Sequence, residues 1–140
     1  VRNPVDYFRI SDMGFLPSKF KGESFPLSVI ECLYAGRPVI ASDLGEIKNM
    51  LIIRDGELAG SVFSLKGWEI PIEEVAELVA KYATDREFYD RALKNAKLAW
   101  EKFDPERVLR EYEEVYMELF KSLKVRSVNV LKAFITNLKA

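Results

Sequence analysis

"KFKGESFPLSVIECLYAGRPVIASDLGE", residues 19–46, decides how this chain is read. Gly22, Pro26, Gly36, Pro38 and Gly45 punctuate it into a loop, a short apolar helix and a short apolar strand. The helix is "PLSVIECLYAG" (26–36), with apolar Leu27, Ile30 and Tyr34 at helical spacing. Gly36 stands where a helix end favours a left-handed residue. Into this buried-looking pattern are set Glu23 and Glu31, eight residues apart. Either the two acids are ordinary solvated ends of secondary structure, or they grip something polar.

Outward from that stretch, "MGFLPS" (13–18), "PVIAS" (38–42) and "GSVFSL" (60–65) are short apolar runs bounded by turn residues, the signature of buried strands. "GEIKNMLI" (45–52) reads as a second helix between strands. Strands alternating with helices predict parallel βαβ units with right-handed crossovers. The fold class is therefore α/β, a partial Rossmann-like parallel sheet of about three strands with crossover helices, followed by a C-terminal helical region. So small a sheet leaves edges whose backbone groups need partners. Further protein before Val1 is expected to cover one, or another chain, self-association through that edge included.

Beyond residue 71 there is one further proline and no glycine. Pro71 opens a helix carrying Ile72, Val75, Val79 and Tyr82. A second starts near Asp85 and carries Phe88, Ala92, Ala96, Trp100 and Phe103. A third has Asp104 as N-cap, Pro105 at its first position, and Val108, Tyr112, Val115, Leu119 and Leu123 along one side. These stripes are read as core packing.

At 140 residues the chain has the size of one domain, with 49% apolar and 31% charged residues. A formal net charge of −1 gives no field that would draw nucleic acid. No apolar run spans a bilayer, and the first residues lack the regions of a secretion signal. The single cysteine, Cys32, cannot form an internal disulfide, which suits a reducing cytoplasm. There is no histidine, so imidazole acid–base catalysis, histidine-activated nucleophiles and histidine metal ligands are excluded within the chain. Cys32, with no histidine to activate it, reads as a small core residue.

A helix beginning near Phe25 or Pro26 would put Ser24 at or next to the N-cap and leave the N–H groups of Phe25, Leu27 and Ser28 at the positive end of the dipole, a site for phosphate. Glu23 lies just ahead of that start. Glu31 lies roughly 7 to 8 Å along the axis at 1.5 Å per residue. That separation suits two hydroxyl-accepting carboxylates better than a proton-sharing pair. A ligand with phosphates in its middle and sugars at either end would use all three features, and a nucleotide-sugar has that shape.

With these residues in view, "LPSKFKGESFPLSVIECLYAGRPVIASDLGE" resembles the donor-binding half of GT-B glycosyltransferases, most closely glycosyltransferase family 4. The E-x7-E hallmark is met by Glu23 and Glu31. The A-x-G-x-P-V-I-A-S pattern is met by Ala35, Gly36, Pro38, Val39, Ile40, Ala41 and Ser42, and the D-G-x-x-x-G turn by Asp55, Gly56 and Gly60. The resemblance covers residues 5 to about 122. It implies that Glu23 contacts the donor sugar near the reacting carbon, that Phe25, Pro26, Leu27 and Ser28 line the sugar and diphosphate, and that Glu31 holds the ribose hydroxyls. It further implies retaining transfer from a nucleotide-diphosphate sugar to a glycan or lipid-linked acceptor, with no cofactor and no metal. Residues 1–67 would then be the later half of a nucleotide-sugar-binding domain, 68–124 helices packing on it, and 125–140 a basic amphipathic tail.

Two departures stand out. "LGEIKNML" (44–51) has one glycine, Gly45, where many relatives have two; Glu46 would either crowd a ligand or mark a subgroup with other donor contacts. The family's acceptor domain and the early half of its donor domain have no counterpart before Val1, so this chain alone is expected to be inert. Lys19 and Lys21 sit near the motif and read as solvated. The alternatives are a non-catalytic nucleotide-binding or interaction module on the same fold and, less well supported by the residues, a sugar-nucleotide epimerase.

After Glu118 come Lys121, Lys124, Arg126, Lys132 and Lys139 with no acid, and an apolar stripe at Val128, Leu131, Phe134, Ile135 and Leu138. This tail would dock on another domain or subunit, or lie peripherally at the inner face of an anionic membrane.

Overall fold

A computed structural model describes residues 3–54 and 56–122. Asp55 and the tail residues 123–140, with the apolar and basic stripe read there, lie outside the described residues. The chain forms two compact units, Val1–Lys102 and Phe103–Ala140.

The first unit is α/β and Rossmann-like. Its elements run α1 (Pro4–Ile10), β1 (Gly14–Leu16), α2 (Leu27–Tyr34), β2 (Val39–Ser42), α3 (Ile47–Leu51), β3 (Gly60–Phe63), α4 (Ile72–Thr84) and α5 (Arg86–Trp100). The three strands are parallel in the order β1-β2-β3, so each pairs with its successor in sequence. Gly14 pairs with Val39, and Val39 with Gly60. Gly60 is required there, because a β-carbon would collide with the Val39 backbone.

Alternation along β2 assigns the two faces of the sheet. Ile40 and its pairing partner Ser61 face α4, where Ile40, Phe63, Val75, Tyr82 and Ala92 form one buried cluster. The Ser61 and Tyr82 hydroxyls share a hydrogen bond of 3.1 Å across that interface. Val39 and Ala41 face the other way, toward the buried Val29, Cys32 and Leu33 of α2. Gly14 belongs to this side, since a β-carbon on it would lie 2.6 Å from the Cys32 Sγ.

The helix ends follow local chemistry. α2 closes in a Schellman motif: Arg37 N–H donates to the Cys32 carbonyl (3.0 Å) and Gly36 N–H to that of Leu33 (2.9 Å), with Gly36 at φ 72°. α5 is capped by Asp85, whose carboxylate accepts from Phe88 N–H at 2.9 Å. Asn95 of α5 is buried and donates to Glu57 Oε2 and the Leu58 carbonyl, which fixes the entry to β3.

Three expectations for this first unit need correction. α2 begins at Leu27 with Pro26 as N-cap, so Ser24 lies outside the helix and does not cap it. The proline fits that place because it has no N–H to leave unpaired. The buried face of α2 is Val29, Cys32 and Leu33, whereas Leu27 is 70% exposed and Tyr34 packs on Trp100 (centroids 4.7 Å apart). In α4 only Val75 and Tyr82 of the expected stripe are buried; Ile72 and Val79 are exposed.

The second unit contains α6 (Pro105–Ser122), with Asp104 Oδ1 accepting from Glu106 N–H at 3.1 Å. Tyr112, Val115 and Leu119, expected in a core, are exposed. No helix among the described residues is long and apolar enough to cross a membrane.

Candidate functional site

Because β1, β2 and β3 are parallel, the segments that leave their C-terminal ends open on one edge of the sheet, where ligands of such folds bind. Three connections meet there: residues 17–26 after β1, residues 43–46 after β2, and residues 64–71 after β3. The first carries Glu23, Phe25 and Pro26. It leads into Leu27, Ser28 and Glu31 of α2.

The 17–26 loop is shaped by a turn in which Glu23 N–H donates to the Phe20 carbonyl at 3.0 Å. It is braced by the β2–α3 connection, where Glu46 N–H donates to the Ser24 carbonyl at 2.8 Å. Gly45, at φ 53°, packs on Glu23 and Ser24 so tightly that a β-carbon would lie 2.6 Å from Ser24 Cα. The single glycine of this connection thus serves the loop that carries Glu23. Glu46, read from sequence as either crowding a ligand or marking a subgroup with other donor contacts, presents its main chain to that loop, while its Oε2 accepts from Asn49 Nδ2 (2.9 Å) along α3.

The third connection was not singled out from sequence. Lys66 and Glu69 exchange main-chain hydrogen bonds of 2.9 and 3.0 Å around Gly67 (φ 59°) and Trp68 (φ 67°). This is a two-residue hairpin of the type that needs positive φ at both central positions. Trp68 Nε1 donates to the Lys19 carbonyl at 3.0 Å, and Lys19 Nζ pairs with Glu69 Oε2 at 2.6 Å. Lys19, read as solvated, is therefore paired, and Lys21 Nζ lies 5.4 Å from the Trp68 ring centroid. The only sequence signal for this arrangement is Gly67 between two runs that end in Leu65 and Ile70.

Glu23 and Glu31 are both half-buried, and neither carboxylate has a hydrogen bond or ion pair among the described residues. The first-turn N–H groups of Leu27 and Ser28 have no acceptor within the helix, and no side chain caps it. Glu23 thus precedes the helix start and Glu31 lies within α2; a carboxylate can accept hydrogen bonds from hydroxyls, and a helix start attracts anions. Cys32 takes no part: its Sγ lies 3.5 Å from the Arg37 carbonyl, and burial pushes its thiol up to about 12. No group of three or more Cys, Asp or Glu side chains among the described residues is placed to hold a metal ion.

The sequence model of the family described as "Glycosyl transferases group 1" matches residues 1–99. No curated protein and no solved structure gives a match. A parallel Rossmann-like sheet and a family match over residues 1–99 lead to one assignment. The chain belongs to the group 1 glycosyl transferases.

Proposed function

We propose that this chain binds the nucleotide-diphosphate sugar of a retaining glycosyl transfer to a glycan or lipid-linked acceptor. Glu23 accepts hydrogen bonds from hydroxyls of the transferred sugar near the reacting carbon. Glu31, one helical turn inside α2, accepts from the ribose hydroxyls. Between them, the segment Phe25–Ser28 lines the sugar and diphosphate, with N–H groups of Leu27 and Ser28 directed at phosphate oxygens. As the bond from the sugar carbon to the phosphate oxygen breaks, negative charge grows on the leaving diphosphate, and fixed N–H dipoles at a helix start stabilise that charge without reorganising. The reaction so described needs no bound metal.

One observation carries this reading: two half-buried carboxylates without partners among the described residues, one before and one within α2, accompany an uncapped helix start in a group 1 glycosyl transferase. The test is a calorimetric panel of UDP, GDP, ADP and dTDP on the full natural chain, repeated with Glu31→Ala. One nucleotide is expected to bind, and the substitution is expected to weaken it by about 1 to 3 kcal/mol through loss of charge-assisted hydrogen bonds. A full chain that binds none of the four overturns the reading. Binding without sugar transfer would point to a nucleotide-binding module that has lost the reaction.

A further inference from the structure

Among the described residues, Trp68 is the one non-glycine with positive φ, at 67°. A bulky side chain is disfavoured in this region, which asparagine and glycine visit far more readily. Such a conformation persists where surrounding contacts over-determine it. Here the contacts all run to one place. The indole N–H donates to the Lys19 carbonyl, the next residue of the hairpin pairs its carboxylate with the Lys19 ammonium, and Lys21 lies over the ring. Lys19 and Lys21 are separated from Glu23 only by the turn that Phe20 closes. The hairpin itself is anchored at its other side, where Lys66 pairs with Glu74 of α4 at 2.9 Å. Trp68 remains 40% exposed, so burial does not explain its position.

We infer that Trp68 is a positioning residue: through the Lys19 carbonyl it holds the 19–24 loop, and so Glu23, ready for the nucleotide-sugar. This rests on the donor-site reading above and adds to it a residue outside the E-x7-E stretch. The hairpin after β3 and the Gly45–Glu46 corner after β2 then grip the same loop from two directions, one at Lys19 and one at Ser24. A loop fixed in advance binds its ligand without an ordering cost.

Trp68→Phe keeps an aromatic ring and removes the indole N–H; Trp68→Asn keeps a residue tolerant of positive φ and removes the aromatic ring altogether. Both are compared with wild type, in the full natural chain, by amide hydrogen exchange and by calorimetry with whichever of UDP, GDP, ADP and dTDP binds wild type. In both variants, exchange at residues 20–24 is expected to rise about tenfold while β2 stays protected. The nucleotide Kd is expected to rise about five- to tenfold, the factor that corresponds to one lost hydrogen bond. Saturating nucleotide should restore slow exchange at residues 20–24 in the variants, which a general loss of stability would not allow. Unchanged exchange in this loop, or a loosened loop with unchanged Kd, overturns the assignment while leaving the donor site standing. A wild-type chain that binds none of the four nucleotides overturns both.

Discussion

Gly45 lies against Ser24 with no room for a methyl group, since a β-carbon at Gly45 would stand 2.6 Å from Ser24 Cα. The contact joins the corner after β2 to the loop that holds Glu23. Its positive φ of 53° adds a second reason for glycine.

Gly45→Ala is therefore expected to cost about 2 to 4 kcal/mol, combining a left-handed alanine with overpacking. Chemical denaturation would measure the loss, and the nucleotide panel would show weaker binding in whatever fraction stays folded. A variant as stable as wild type would mean that the two loops separate freely.

Cys32 predicts a dependence on alkaline pH. Burial raises its thiol from an ordinary value of 9.0 to about 12. Between those values the unfolded chain has lost the proton and the folded chain keeps it, so stability falls as pH rises, by about 1.4 kcal/mol per pH unit. Burial also raises Tyr82 above its ordinary 10.0, which steepens the fall at higher pH. Urea unfolding between pH 8 and 11 should show the decline, and Cys32→Ala should remove the part that begins near 9. The native thiol should also resist alkylation at pH 8 until the protein unfolds.

Ser42 is fully buried, and its hydroxyl has no partner among the described residues. Ser42→Ala is expected to stabilise the protein by about 1 kcal/mol, because an unpaired buried hydroxyl is a cost that alanine removes. Thermal unfolding of the two proteins side by side decides the sign. A loss of stability would show that the hydroxyl is satisfied in solution.

Lys102 reaches the end of α3, where its Nζ donates to the carbonyls of Asn49 (2.8 Å) and Ile52 (2.6 Å). Lys102→Met keeps most of the length of the side chain and removes both bonds. The expected cost is about 1.5 to 3 kcal/mol, read from the urea midpoint. An unchanged midpoint would mean that water replaces the ammonium without loss.

Much of this architecture was legible from punctuation. Gly36 marked the end of α2 because the Schellman motif needs a left-handed residue, and Asp104 with Pro105 marked the start of α6. The three strands stood out as short apolar runs between turn residues. The buried face of α2 was not legible, because nearly every position of an eight-residue apolar helix fits some helical stripe. α2 touches α1, α3 and α5 as well as the sheet, so its burial reflects several neighbours at once. Its start was read too early because Pro26 fits the first turn about as well as the cap. Glu23 and Glu31 were visible as acids in an apolar context. Trp68 was not, since a Gly-Trp pair carries none of the asparagine–glycine signal of a tight hairpin.

The two braces on the 17–26 loop share a chemical economy. Both grip main-chain oxygens, of Lys19 and of Ser24, and every residue type carries such an oxygen. Neither bond depends on which side chain stands at position 19 or 24. A single replacement that changes what the loop touches would therefore leave both of these main-chain bonds available.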